Sequence, residues 1–169
     1  MKKIFKILLV LSTIVITAVT CERQESENCH PSIRFSNNSE NRVRVNFGFL
    51  NSRHTPNYFS ALVRMSPVAT QEMFIVRSGE QENRSALNIV TDCLEVAFND
   101  ISGNLDTIFV FVFDATLIEN TPWDIVVRDN LVLRRYHLTL EDLQRLNWRI
   151  AYPPTEEMRD IKMYPPFGQ

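Results

Sequence analysis

The sequence predicts an α+β domain made mostly of antiparallel strands, sandwich-like, with two or three short helices. Residues 42–49 place an apolar side chain at every second position, which is typical of a strand with one buried face. The continuous apolar run Ile108–Phe113 is β-branched or aromatic throughout, which indicates a central strand covered on both faces. Shorter stretches with apolar residues at helical spacing predict helices at the edges of the sheets.

The first twenty residues have the layout of an export signal. Three lysines fall within the first six residues, and residues 7–16 form an apolar run broken only by Ser12 and Thr13. This run is too short to span a bilayer comfortably, which takes about 20 residues. We expect a lipoprotein signal peptide, a polar tether and a single globular domain with a Pro-rich C-terminal tail, at residues 1–20, 21–31 and 32–169.

Cys21 is placed like the acylated cysteine of a bacterial lipobox, where cleavage makes that cysteine the new N-terminus. A lipobox usually has Leu three residues before the cysteine and a small residue just before it, and here Ala18 and Thr20 hold these positions. The resemblance predicts lipid attachment at Cys21 and an outer membrane lipoprotein, periplasmic or surface-exposed. The alternative is an ordinary secretory signal cut nearby, which leaves Cys21 a free thiol or a disulfide partner.

If Cys21 carries lipid, Cys29 and Cys93 remain as an even pair. The cell envelope allows disulfides, and a Cys29–Cys93 bridge would contribute about 4 kcal/mol in the chain-entropy model. The alternative is two separate buried thiols, because a free cysteine behaves as a small apolar residue.

The first half of the domain is predicted to be strands joined by polar loops. Residues 33–36 and 42–49 flank a polar turn at 37–41, which predicts a β-hairpin. Further strands are expected at residues 59–65 and 73–76, and a loop at 78–85.

Three segments of the second half have helical signals. In residues 91–101 the apolar side chains recur at helical spacing, with Thr91 as the expected N-cap and residues 102–104 as the stop. Thr121 is expected to cap a short helix with Pro122 at its first position. Thr139 and Asp142 form a capping box before Leu140, Leu143 and Leu146. Strands are expected at residues 131–138 and 148–152.

The tail contains Tyr-Pro-Pro twice, at residues 152–154 and 164–166. Paired prolines favour extended backbone, so the tail could be a docking peptide for an aromatic groove. The alternative is a tail that covers the domain through Met158, Ile161 and Met163.

The segment Leu133–Leu143, followed by Asn147-Trp148 and Tyr152-Pro153-Pro154, resembles small uncharacterised lipoproteins of Bacteroides-like bacteria. Phe113-Asp114 and Trp123 extend the similarity, which covers roughly residues 105–155 and the signal. The resemblance implies an envelope location and brings no assigned activity or catalytic residue.

The sequence contains none of the common nucleophile, phosphate-binding or metal motifs. Asp100, Asp106 and Asp114 surround the apolar strand and could bind calcium, but their spacing is not that of an EF-hand loop. We expect no metal site and no cofactor. Asp106-Thr107-Ile108 resembles the O-glycosylation acceptor of exported proteins in these bacteria, which makes Thr107 a candidate for modification.

His137 follows two arginines on a predicted strand. Alternation places Arg135 and His137 on one face, and Arg134 on the other. Such a strand could read a ligand, or its arginines could pair with acidic residues of the next helix, Glu141 and Asp142.

With 18 basic and 20 acidic residues, the chain has no positive field for nucleic acid. We expect a lipid-anchored envelope protein, not an enzyme, that acts as a binding or accessory module for an unknown protein or glycan ligand. One alternative is a small envelope hydrolase or carbohydrate-active enzyme, in which His54 or His137 would meet two carboxylates. The other is an immunity-type or structural envelope protein.

Overall fold

The computed structural model describes residues 29–51, 73–84, 93–99 and 105–169. These residues form eight strands in two mostly antiparallel sheets, with four short helices, which confirms the predicted α+β, sandwich-like class. The strands are β1 Ile33–Asn37, β2 Val43–Asn51, β3 Phe74–Val76, β4 Gln81–Arg84, β5 Leu105–Asp114, β6 Arg134–Leu138, β7 Arg149–Tyr152 and β8 Lys162–Tyr164. The helices are α1 Leu94–Asn99, α2 Ala115–Asn120, α3 Trp123–Arg128 and α4 Leu140–Arg145, and Glu156–Met158 form a 3₁₀ turn.

The larger sheet has the order β3-β2-β5-β6-β8, and all its neighbouring strands are antiparallel. The smaller sheet has the order β4-β1-β7, in which β1 is antiparallel to β4 and parallel to β7. Within the described ranges, no helix is long and apolar enough to cross a membrane.

Strand β5 is the central strand that its composition predicts. All six residues of Ile108–Phe113 are buried. Because successive side chains point to opposite faces, Val110 and Val112 belong to the main core, while Phe111 and Phe113 belong to a second cluster. Residues of α2 and α3, including Leu117, Trp123 and Val126, cover that second cluster.

The predicted hairpin of the first two strands is wrong, because β1 lies in the smaller sheet and β2 in the larger one. The turn between them is organised by Asn37, which is fully buried. Its amide nitrogen donates to the carbonyls of Asn41 at 2.7 Å and Val76 at 3.0 Å. The inward side chains of both strands still face one core, so alternation alone cannot tell a hairpin from a crossing between sheets.

The predicted loop at residues 78–85 is also wrong in part, because β4 occupies its second half and pairs with β1. Its sequence, Gln-Glu-Asn-Arg, is polar, as is common for an edge strand. The strand expected at residues 73–76 is observed as β3, and the strand expected at 59–65 lies outside the described residues.

The three segments with helical signals contain the helices α1, α3 and α4. In α1, Leu94 is buried, and the expected cap Thr91 and stop at residues 102–104 lie outside the described part. Pro122, and not Thr121, holds the N-cap position of α3, without a side-chain cap. Helix α2 follows Asp114, whose carboxylate accepts from the Leu117 amide at 2.9 Å, and the sequence patterns did not predict it.

The capping box of Thr139 and Asp142 at the start of α4 is confirmed. The strand expected at residues 131–138 begins later, at β6. The strand expected at 148–152 is observed as β7. A further strand that was not predicted, β8, follows it in the tail.

The C-terminal tail, residues 153–169, covers the domain. Met158 and Ile161 are buried in the main core, and Met163 packs against it. Strand β8 extends the larger sheet beyond β6. These contacts confirm the covering role of the tail. The Tyr-Pro bonds before Pro153 and Pro165 are both cis.

Candidate functional site

A segment at the start of the described chain, residues 29–32, is fastened to α1, and we call it the N-terminal strap. The predicted disulfide is present: Cys29 and Cys93 are bonded across a sequence separation of 64, with their Cα atoms 5.0 Å apart. The Leu94 amide donates to the His30 carbonyl at 3.0 Å. Cys29 and His30, at the end of the expected tether, therefore belong to the folded part of the chain.

Glu95 uses both carboxylate oxygens to hold His30. One oxygen accepts from the His30 main-chain amide at 2.9 Å, and the other lies 2.5 Å from Nδ1 of the ring. An ionised carboxylate only accepts, so Nδ1 carries a proton and Nε2 is left for another partner. The ring stacks on Trp148, with centroids 4.6 Å apart and planes at 15°.

Trp148 has an unusual backbone conformation. Asn147 and Trp148 follow α4 with φ angles of 48° and 58°, in the left-handed region. Asn visits this region readily, but a bulky aromatic residue there is an outlier, at a cost of about 1–3 kcal/mol. The conformation is held by hydrogen bonds from the Trp148 amide to Leu143 at 2.8 Å and from the Arg34 amide to Trp148 at 2.9 Å. Such backbone strain is common at functional sites.

A pocket of about 220 Å³ opens between the strap and the α4–β7 junction. Its described lining consists of His30, Pro31, Ser32, Arg34, Asn147, Trp148 and Arg149. Arg34 and Arg149 are direct register partners on the parallel strands β1 and β7. Since neighbouring strands lie only about 4.8 Å apart, their side chains leave the same face of the smaller sheet side by side. Both arginines are exposed.

The described lining of the pocket has two guanidinium groups and one imidazole but no carboxylate. Elsewhere, exposed and partly exposed arginine side chains form ion pairs with acidic side chains. These ion pairs are Arg42 and Arg44 with Glu119, Arg77 with Glu80, Arg128 with Asp129, Arg145 with Asp142, and Arg159 with Glu156. Among the described residues, Arg149 makes no ion pair of this kind. The positive charge of Arg149 is therefore available to attract an anion into the pocket.

The predicted strand face of Arg135 and His137 is confirmed, but the predicted pairing of its arginines with Glu141 or Asp142 is wrong. Arg134 instead donates to main-chain oxygens of the tail: Pro165, Pro166 at 3.2 Å and Gln169 at 2.8 Å. Arg135 donates from Nε to Nε2 of His137 at 2.9 Å. Asp142 pairs with Arg145 of its own helix, because that residue is one turn away.

His137 is not placed beside two carboxylates. Its ring meets the edge of Phe109 with centroids 4.6 Å apart. Burial of the ring and, to a smaller extent, the charges of Arg135 and Lys162 lower the pKa of His137 to about 4. His137 is therefore a neutral member of the sheet at pH 7. His54, the other histidine of the enzyme alternative, lies outside the described residues.

The remaining candidates are dispersed. Cys21 lies outside the described residues, and Thr107, half-buried near the start of β5, stays a prediction for modification. Asp106 and Asp114 lie near opposite ends of β5, and Asp100 is not described. In the described part of the chain, no group of three His, Cys, Asp or Glu side chains could hold a metal ion.

His30 falls within the predicted tether, so the sequence patterns did not predict the pocket. The signal that could have found it is the disulfide itself. A bridge from Cys29 to Cys93 brings the next residue, His30, close to Glu95, two positions beyond Cys93.

Comparison with known proteins gives no match: no family model fits the chain, and no curated protein and no solved structure is significantly similar to it.

Proposed function

We propose that this protein is a lipid-anchored cell-envelope binding module that captures a glycan or protein ligand through the pocket between the strap and β7. The observation that carries the proposal is the pocket itself. It combines exposed arginines, a histidine held by Glu95 and a strained Trp148 backbone, and its described lining has no acidic side chain.

The position of the pocket relative to the expected anchor supports this role. Cys21 precedes Cys29 by eight residues, which span at most about 28 Å when fully extended. A ligand in the pocket would therefore lie close to the membrane surface. A binding module at this distance from the membrane is suited to capturing molecules that are attached to the envelope or concentrated at it.

The geometry favours binding over hydrolysis. A serine nucleophile needs a hydrogen bond to its general base. Ser32 and His30 line the same pocket, and His30 is oriented by Glu95 as a base would be. Within the described structure, however, no hydrogen bond joins the Ser32 hydroxyl to His30.

The anchor is tested by labelling growing cells with radioactive palmitate. We expect label in the wild-type chain and none in a Cys21→Ala variant. Equal labelling of both chains, or of neither, contradicts the anchor. Protease treatment of intact and lysed cells then distinguishes a surface-exposed domain from a periplasmic one.

Ligand capture is tested with the full-length lipoprotein in detergent on an array of bacterial and host glycans. We expect retention by the wild type and loss in a His30→Ala/Arg149→Gln variant. The matched control is Arg128→Gln, because Arg128 is exposed and lies on α3, outside the pocket. If the pocket variant and the control retain the same glycans, the pocket is not the binding site.

A further inference from the structure

The chemistry of the pocket also indicates a class of ligand, and this inference rests on the proposed function. We propose that the pocket binds a single acidic sugar, with its carboxylate on the Arg149 guanidinium and its ring beside His30 and Trp148. The ligand is a free sugar acid or the acidic end residue of a glycan.

Charge is the first argument. Arg149 is exposed and lines the pocket, and among the described residues its guanidinium makes no ion pair. A carboxylate matches the planar fork of a guanidinium and forms two parallel hydrogen bonds with it. Glu95, the carboxylate that holds His30, already has both oxygens on that residue.

Size and polarity are the second argument. A volume of about 220 Å³ lies below the range of about 300–1,000 Å³ that is usual for drug-sized ligands. The pocket therefore fits one ring better than a chain of rings. The Ser32 hydroxyl and the Asn147 amide add neutral donors and acceptors to the lining, which suit the hydroxyl groups of a sugar.

Rigidity is the third argument. His30 is fixed on one side by the disulfide at its neighbour Cys29 and on the other by its stacking on Trp148. Trp148 is itself almost fully buried and is held in the left-handed region by two main-chain hydrogen bonds. A site that is ordered before the ligand arrives loses little conformational entropy on binding.

The test is an NMR titration of the ¹⁵N-labelled full-length chain in detergent with three probes: glucuronate, glucose and inorganic phosphate. The chain has only two tryptophans, so the two indole N–H signals report on separate places. We expect glucuronate to shift the Trp148 signal in a saturable manner and to leave the Trp123 signal unchanged. Glucose and phosphate at the same concentrations should leave both signals unchanged.

Arg149→Gln should weaken glucuronate binding by at least about tenfold, because hydrogen bonds to a charged group are lost. Arg128→Gln should leave the affinity unchanged. The amide spectrum of each variant, away from the substituted residue, shows whether the fold is retained.

Each other outcome overturns the inference in a recognisable way. A phosphate shift equal to that of glucuronate shows a general anion site, and a glucose shift equal to it shows a neutral sugar site. Absence of any shift at Trp148 excludes all three ligand classes. In each case the glycan array decides separately whether the pocket binds any ligand, so failure here is distinct from failure of the proposed function.

Discussion

The N-terminal strap and the C-terminal tail both close over the domain, but they are fastened by different forces. The strap is held by a covalent bond from Cys29 and by the polar contacts between His30 and Glu95. The tail is held by the buried side chains of Met158 and Ile161 and by Arg134, which donates to three main-chain oxygens of residues 165–169.

This difference determines which basic groups remain open to a ligand. Arg134 and Arg135 are the only adjacent arginines in the sequence, yet both are buried. Arg134 is taken up by the tail, and Arg135 bonds His137 and lies over the Tyr164 ring. At the strap, by contrast, the covalent bond carries the fastening, and Arg149 is left exposed on the pocket. The exposure of an arginine and the contacts that it already makes indicate whether it can bind a ligand, whereas the density of arginines in the sequence does not.

The largest expected effect comes from breaking the strap. A Cys29→Ser/Cys93→Ser variant should lose about 4 kcal/mol of the free energy of unfolding, because the unfolded chain is no longer cross-linked over a separation of 64 residues. Urea unfolding followed by circular dichroism measures the loss.

Treating the wild type with dithiothreitol is the matched control and should produce the same shift in the urea midpoint. The variant should also lose the sharp Trp148 indole signal, because His30 is no longer held against Trp148. If the free energy of unfolding of the variant lies within about 0.5 kcal/mol of the wild-type value, as for an ordinary surface substitution, the role given to the strap is contradicted.

The next effect comes from releasing the tail. Arg134→Met keeps most of the apolar stem but removes the donors to the tail carbonyls, so we expect a loss of about 2–3 kcal/mol. The control Arg128→Met removes an exposed ion pair with Asp129, away from the tail, and should change stability by less than about 1 kcal/mol. Urea unfolding of the two variants side by side checks the difference.

If the two fastenings are independent, Arg134→Met leaves the Trp148 indole signal in place and increases hydrogen exchange in β8. Equal stability of the two methionine variants contradicts the argument that Arg134 holds the tail.

The parts of the fold that could be predicted are those with a local signal. Strand β5 is recognisable because six consecutive apolar residues have no solvent-facing member. The capping box of α4 is encoded within four residues, Thr139–Asp142. The disulfide follows from counting cysteines once Cys21 is set aside for lipid.

The parts that could not be predicted depend on distant contacts. The hairpin prediction failed because β1 and β2 have the same inward pattern whether they pair or face each other across the core. Strand β4 has no apolar face, and only its pairing with β1 defines it. The pocket needed two such contacts, the disulfide that places His30 by Glu95 and the left-handed turn that places Trp148 under its ring.

The smallest expected effect is a pH dependence of stability, which should act on the tail and not on the strap. His137 lies on β6 opposite Lys162 of β8, and its neutral Nε2 accepts from Arg135. Protonation would remove that acceptor and place a third positive charge beside Arg135 and Lys162. Burial of the ring, together with the charges of Arg135 and Lys162, lowers the pKa of His137 from 6.5 to about 4 in the folded chain.

The sign of the effect follows from proton binding. Between about pH 6.5 and pH 4 the unfolded chain binds a proton at His137 and the folded chain does not, so the free energy of unfolding falls as the pH drops through this window. The stabilisation is complete above pH 6.5, and because the ring is partly exposed we expect only about 1–2 kcal/mol to be lost by pH 4. Urea unfolding at a series of pH values measures it.

His137→Gln is the matched variant, because its amide oxygen can accept from Arg135 but does not titrate. Glu80, Glu119 and Asp129, whose pKa values are lowered by arginines, also lose stabilisation in acid, but they do so equally in both chains. The difference between wild type and variant therefore isolates His137. If the effect belongs to the tail, hydrogen exchange at pH 5 rises in β8 of the wild type while the cross-linked strap stays protected. Parallel pH profiles for the two chains would mean that His137 is protonated in the folded state without disturbing β8, and the tail would then be held by Arg134, Met158 and Ile161 without a contribution from His137.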